Sequence, residues 1–286
     1  MATPRLAKGY PREQLLDLSH YRASSAERER AGSLLSLIPA AGKLALDIGA
    51  RDGHFSLLLA ERFDRVIALD LTLPRISHPR VECVAGNAAA LPYEDNAIDL
   101  VFCAEVLEHI PPPLLSRVCG ELERVCRGTL VIGVPYKQDL RFGRTTCYTC
   151  RQTNPPWGHV NSFDEQRLAQ LFPLCSVRTV AFAGQTTERT NALSAWLMDR
   201  AGNPYGTYVQ EEPCVHCGSK LLPPPERSIA QKVLTRLAFW TRRFSDSSRP
   251  RGNWIHMAFS KAGAPPPQNR EAMAHSTNGQ IPGVLQ

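Results

Sequence analysis

The chain has 286 residues, 43% of them hydrophobic and 21% charged, a balance that excludes an extended disordered protein and suits a soluble globular one with a single substantial core. The formal net charge of +6 arises from 33 basic and 27 acidic residues, an excess too dilute to mark a nucleic-acid protein, and no apolar run approaches the roughly 18 residues of a membrane span. The opening MATPRLAKGYPREQ lacks the apolar stretch of a secretory signal, so a cytoplasmic protein is expected, and its nine cysteines then point to metal or redox chemistry rather than a disulfide framework.

Residues 1–23 read as a polar N-terminal extension. The spacing then predicts a helix that starts after Ser24 or Ser25, where a serine cap, an early Glu27 and apolar Leu34, Leu35, Leu37 and Ile38 precede a stop at Pro39. Short apolar runs alternate with helical patterns from there on, the signature of a doubly wound, mostly parallel α/β sheet. Seven strands are expected, at Leu44 to Ile48, Val66 to Leu69, Val81 to Val84, Ile98 to Cys103, Thr129 to Val134, Val177 to Phe182 and Trp254 to Ser260. The predicted helices between them run from Phe55 to Phe63, Pro113 to Val125 and Asp164 to Phe172. About 70 residues between the sixth and seventh strands fit no simple crossover and read as a cysteine-containing insertion at about 184–252, with a break at Pro223 to Pro225 and an amphipathic helix. The main domain therefore covers 24–262, and 263–286, with three consecutive prolines, reads as a disordered tail.

The most informative stretch is LALDIGARDGHFSLLLAERFDRVIALDLT, from Leu44 to Thr72, which reads as strand, glycine turn, helix and strand. Gly49 and Gly53 let the backbone turn sharply and approach a ligand, and the helix that begins near His54 offers unpaired amides. Asp70 lies 21 residues after Gly49, where an acidic side chain accepts hydrogen bonds from ribose hydroxyls. The three-glycine pattern that seats a pyrophosphate is incomplete. Asp47 beside the turn suits instead a nucleoside carrying a cationic sulfonium and an ammonium group, as S-adenosylmethionine does.

Asp47, Gly49 and Gly53 resemble the first motif of class I S-adenosylmethionine-dependent methyltransferases of the small-molecule type, an acidic residue followed by GxxxG. VECVAGNAAALPYEDNAIDLVFCAEVLEHIP is similar to the same family's run from third to fourth strand, ending in EVLEHI. The resemblance implies a seven-stranded Rossmann-like sheet and a cofactor site made of Asp47, Gly49, Ala50, Gly53, Asp70, Leu71, Asn87, Ala88 and Glu105. Asn87 departs from the family, which commonly has aspartate there to meet the adenine amino group, although an amide oxygen can accept the same hydrogen bond.

Methyl transfer is an in-line displacement that needs alignment and exclusion of water more than a base. Glu105, His109 and Tyr136 are the candidate catalytic residues near the strand ends, with His159 beyond them. His109 either deprotonates a hydroxyl or only shapes the pocket wall. Asn154-Pro155-Pro156-Trp157 resembles the motif of methyltransferases acting on amino groups, but it follows the fifth strand instead of the fourth and is discounted.

Cys147 and Cys150 form one CxxC pair, and Cys214 and Cys217 another, with 63 residues between the pairs. Four thiolates suit one structural Zn2+ that would staple the insertion to the domain. A redox dithiol, unliganded thiols, or His159 or His216 in place of one cysteine are the alternatives. Cys83, Cys103, Cys119, Cys126 and Cys175 fall in apolar patterns and are expected in the core.

From Arg227 to Phe244, apolar Ile229, Val233, Leu237, Trp240 and Phe244 recur at helical spacing beside Lys232, Arg236, Arg242 and Arg243. Packing as a lid on the sheet is the first expectation for this helix, and contact with an anionic membrane the second. The reading as a whole is a methyltransferase acting on a small-molecule, glycan or lipid-linked acceptor. The alternative is a zinc-bearing RNA- or protein-binding module on the same fold, although neither an RNA-binding module nor an interleaved basic and aromatic patch is visible.

Overall fold

Alternation of side chains along each central strand sends apolar residues to both faces of the sheet, which requires helices on both sides. The computed structural model describes residues 22–224, 226–245 and 250–261, and in it seven strands form one sheet in the order β3-β2-β1-β4-β5-β9-β8. These are β1 (Gly42–Ile48), β2 (Phe63–Asp70), β3 (Val81–Ala85), β4 (Ile98–Ala104), β5 (Cys126–Pro135), β8 (Cys175–Thr186) and β9 (Arg251–Lys261). Strands β6 (Thr145–Thr146) and β7 (Thr153–Asn154) form a separate small hairpin that the sequence reading did not anticipate. The first five strands of the sheet pair in parallel, and β9 inserts antiparallel between β5 and β8. All seven expected strands are present, each longer than its apolar run. The first 21 residues of the expected extension, Pro225 and the tail 263–286 lie outside the described residues.

One core layer takes Leu46 and Ile48 of β1, Val101 and Cys103 of β4, and Leu130, Ile132 and Val134 of β5 against helices α3 (Pro112–Val125) and α4 (Glu165–Leu171). The other takes Ala45, Leu100, Phe102 and Val131 from the same strands against α1 (Ser25–Leu37) and α2 (His54–Ala60). Ser24 caps α1, its hydroxyl accepting from Glu27 N at 3.2 Å, and Asp164 caps α4 in the same way through Arg167 N at 2.8 Å. Helix α2 ends at Ala60 rather than at Phe63, because Phe63 opens β2 with its ring buried in the second layer. Cys103, Cys119 and Cys126 are buried as expected, whereas Cys83, in the edge strand β3, and Cys175, at the start of β8, are only half-buried.

The insertion holds α5 (Ala192–Arg200) and α6 (Ile229–Arg242). The expected lid packing of α6 is corrected here. Its buried residues are Thr235, Ala238 and Thr241, while Ile229, Val233, Leu237, Trp240 and Phe244 are exposed, Ile229 at 81% and Phe244 at 74%. The physical reason lies in α5, whose Ser194 Oγ donates to Ala238 O at 2.7 Å and whose capping Asn191 Nδ2 donates to Thr241 O at 2.8 Å. Bonds to the α6 backbone need a small-residue face, and Ala238 with the two threonines supplies it.

Candidate active site

The strand order reverses between β1 and β4, so the turns leaving these strands diverge and open a crevice at their carboxyl ends. Gly49 and Gly53 adopt φ of +76° and +79°, and a Cβ on Gly49 would lie 2.4 Å from Val106 Cγ2, so both φ and space require glycine there. Gly49 N and Ala50 N both donate to Leu69 O, at 2.8 and 3.2 Å, which pins the turn to β2. Asp47 is 3% exposed and accepts from Ser56 Oγ at 2.5 Å. Burial pushes its pKa up to about 7; the Ser56 hydrogen bond opposes that rise and the nearby Asp52 and Asp70 add to it. Asp70 accepts from Arg51 N at 3.1 Å and Thr72 N at 3.3 Å, which holds its carboxylate beside the glycine turn.

A cavity of about 810 Å³ opens from this crevice, and of the residues expected from the sequence it brings together Asp47, Gly49, Ala50, Glu105, His109 and Tyr136, along with His159. Gly53, Asp70, Leu71, Asn87 and Ala88 are outside its lining. Gly53 heads α2 against Ile76, Leu71 is exposed, Ala88 packs on the core, and Asn87 Oδ1 accepts from Ala89 N at 2.9 Å. Gly53 closes the turn after β1, Asp70 ends β2, Leu71 follows it, and Asn87 and Ala88 lie in the turn after β3.

Glu105 sits at φ +58°, an uncommon conformation for a residue other than glycine. Trp254 Nε1 donates to its Oε2 at 3.3 Å, and Arg30 Nη1 lies 3.7 Å from its Oε1. Burial raises the Glu105 pKa, with Arg30 and the Trp254 hydrogen bond opposing. Tyr136 donates its hydroxyl to Glu165 Oε1 at 2.8 Å, and the His109 and His159 rings meet edge to face with centroids 4.6 Å apart. The sequence reading missed Arg30 and Trp254. Arg30 is buried on α1 in a two-pronged pair with Glu27 at 2.7 and 2.8 Å, and no local pattern in the helix betrays that it lines a pocket. It also missed the roof of the cavity, the segment 207–212, tied down by an ion pair from Glu211 to Arg51 and by Trp157 N donating to Gln210 Oε1 at 2.8 Å.

That roof leads directly into the second cysteine pair. Sγ of Cys147 lies 3.7 Å from that of Cys217, Cys150 Sγ lies 3.6 Å from Cys214 Sγ, and all four sulfurs fall within 4.8 Å of one another. The two CxxC turns have the same backbone: Arg151 N donates to Cys147 O and Gly218 N to Cys214 O, both at 2.8 Å, while Cys147 N reaches Gln152 O and Cys214 N reaches Ser219 O, both at 2.9 Å. Neither His159 nor His216 joins them; His159 is beside His109, and His216 Nε2 bonds Thr153 O at 3.1 Å. Asn154 of the discounted motif is spent between the knuckles, its Oδ1 accepting from Val215 N at 2.9 Å.

Residues 46–132 match the family described as Methyltransferase domain. An uncharacterized methyltransferase of Mycobacterium tuberculosis is 32% identical over 113 residues, which are 37% of this chain and 45% of that protein. A probable S-adenosylmethionine-dependent methyltransferase of Mycolicibacterium smegmatis is also 32% identical over 113 residues, 37% of this chain and 43% of its own length. The chain thus spans less than half the length of these curated relatives. A solved structure from Bacillus halodurans, described as a putative methyltransferase, aligns with 82% of this chain and 99% of its own at a TM-score of 0.49 and 15% identity. The matched residues, 46–132, run from within β1 to within β5 and include the glycine turn at the crevice.

Proposed function

We propose that the whole chain is an S-adenosylmethionine-dependent methyltransferase acting on a small-molecule, glycan or lipid-linked acceptor. The observation that carries the reading is the cradle at the point of strand reversal, where a turn that only glycine fits lies between two carboxylates, Asp47 and Asp70, and opens into a cavity large enough for a second reactant. The cofactor supplies an electrophilic methyl group on a sulfonium. Asp47 and Glu105 offer negative charge to its cationic end, Asp70 accepts from ribose hydroxyls, Gly49, Ala50 and Gly53 allow close approach, and Leu71, Asn87 and Ala88 flank the base. The roof at 207–212 keeps water from the reacting centre. His109 and Tyr136 stand on the acceptor side as proton acceptors or as wall.

A structural Zn2+ on Cys147, Cys150, Cys214 and Cys217 completes this reading. Four Zn–S bonds of about 2.3 Å place sulfurs about 3.8 Å apart, and the separations of 3.6 and 3.7 Å fit that tetrahedron. The exposed stripe of α6 favours the membrane alternative for that helix, with a cytoplasmic enzyme meeting a lipid-linked acceptor at an anionic surface. No observation favours an RNA- or protein-binding module. The test is calorimetry with S-adenosylhomocysteine: it binds the wild type, and roughly tenfold or more weakly to Asp70→Ala. A wild type that does not bind it overturns the reading, and equal affinity removes Asp70 from the site.

A further inference from the structure

The proposed function leaves one buried group unexplained. Glu108 is 0% exposed, and neither of its carboxylate oxygens has a hydrogen-bond partner. A carboxylate so placed persists either as the protonated acid or beside a cation. Two imidazoles adjoin it, and one ligand atom from each of Glu108, His109 and His159 lies within 4.8 Å of the other two. Both histidines line the main cavity.

The backbone holds this cluster together. Val160 N and Asn161 N donate to Glu108 O at 2.7 and 3.2 Å, and Asn161 Nδ2 donates to Leu107 O at 3.0 Å and Ile110 O at 2.6 Å. The loop carrying His159 is thereby laced to the short turn carrying Glu108 and His109. His159 Nδ1 donates to Gln138 Oε1 at 2.6 Å, which fixes the ring and leaves the Nε2 lone pair available, the arrangement found behind metal-bound histidines.

We propose that Glu108, His109 and His159 form a divalent-cation site, separate from the cysteine tetrad, that grips an oxygen of the methyl acceptor. Two imidazoles and one carboxylate suit Mn2+, Fe2+ or Zn2+, and they leave coordination positions open toward the cavity. The acceptor assignment rests on the methyltransferase reading; cation binding does not. A hydroxyl held there is acidified. Its proton leaves to solvent, its oxygen pair forms the new bond to the methyl carbon, and the pair of the broken C–S bond stays on sulfur as a neutral thioether.

The experiment titrates Mn2+ into the full-length, zinc-replete protein and follows free Mn2+ by electron paramagnetic resonance, since this hard cation competes poorly for thiolates. The wild type takes up one Mn2+, and Glu108→Gln and His159→Gln each bind it roughly tenfold or more weakly. Glu108→Gln replaces a buried unpartnered acid by a neutral isostere, so it folds and decides the matter even where His159→Gln does not. Calorimetry with S-adenosylhomocysteine accompanies each titration, and Glu108→Gln leaves that affinity within about twofold because the residue is outside the proposed cofactor cradle. A wild type that binds no Mn2+, meaning that a proton occupies the site, overturns the proposal, as does equal binding by Glu108→Gln. A wild type that takes up Mn2+ but not S-adenosylhomocysteine breaks the methyltransferase reading and leaves the cation site standing.

Discussion

The region from β1 to β5 and the region from β6 through α6 share one cavity, yet they hold it by different means. The first is a hydrophobic sheet core whose turns follow from sequence over short distances: glycine where φ is positive, an acidic residue at the end of a strand. The second lends Phe163, Leu168 and Phe172 to the sheet core, but its own apolar cluster, around Cys147, Cys214 and Leu221, is small, and it ties residues far apart in sequence through side chains, sulfurs and an ion pair to Arg51. The proposed cofactor cradle belongs to the self-supporting half. The proposed acceptor side depends on staples, so it can change with little disturbance of the central strands.

The largest expected effect tests that division. Structural zinc contributes apparent free energies of about 10–16 kcal/mol in small domains, far more than the apolar cluster around Leu221 supplies. Metal analysis of the purified protein is expected to find about one equivalent of zinc in the cysteine tetrad, absent from Cys147→Ser combined with Cys214→Ser. In that variant, limited proteolysis cuts within 137–245, while the sheet keeps its S-adenosylhomocysteine affinity to within about tenfold. A stable wild type without metal ends the zinc assignment, and loss of the whole fold ends the division into two halves.

Asp47 sharpens the comparison from the other side, because the cofactor cradle itself works against the fold. Its folded pKa of about 7 lies above the usual unfolded value. The free protein therefore holds this proton more tightly than the unfolded chain, and stability is lost as pH rises from about 4 to about 7, by up to ~4 kcal/mol at pH 8. Asp47→Asn then melts at a higher temperature than the wild type at pH 8, with little difference near pH 4. Binding moves oppositely: wild-type affinity for S-adenosylhomocysteine, whose ammonium needs the carboxylate ionised, rises between pH 6 and pH 8, and the asparagine variant loses that pH dependence. A wild-type affinity flat across that range would separate Asp47 from the ligand.

Gly49→Ala is expected to cost about 1–3 kcal/mol of stability, since it places a side chain at positive φ and drives Cβ to within 2.4 Å of Val106 Cγ2. S-adenosylhomocysteine binding is lost with it. Thermal melting and calorimetry on the same sample check both, and a variant with wild-type affinity would show that the turn does not shape the site.

The seven strands, both cysteine pairs and the glycine turn were legible because each is a local pattern: period-two apolar runs, CxxC, GxxxG. What the sequence hid depends on distant packing. Arg30 looks like an ordinary helix-surface arginine until Glu27, Glu105 and Trp254 surround it. Glu108 is part of EVLEHI, but its lack of a partner emerges only when the loop at His159 closes over it. The apolar period of α6 was visible; its direction was not, since the same period serves a buried helix and an exposed one until the α5 contact with Ala238 is known.

The smallest expected effect on stability is at that helix, and it separates surface function from packing. Trp240 is 57% exposed, so Trp240→Ser should change stability by no more than about 0.5 kcal/mol, where the same change in a packed lid would cost several times that. The sequence from Arg227 to Phe244 contains no acidic residue, and exposed Lys232, Arg236 and Arg243 flank the stripe, while Arg242 turns inward over the Phe142 ring. A second copy of the same face would bring like charges together; anionic lipid would neutralise them. In flotation assays the wild type is expected to bind vesicles containing phosphatidylserine, less so at high salt and hardly at all to neutral vesicles, and Trp240→Ser combined with Ile229→Ser should abolish that binding while melting like the wild type. If the double variant instead loses several degrees of melting temperature or abolishes a dimer seen in the wild type, the stripe is packing surface and the second region is held by more than its staples.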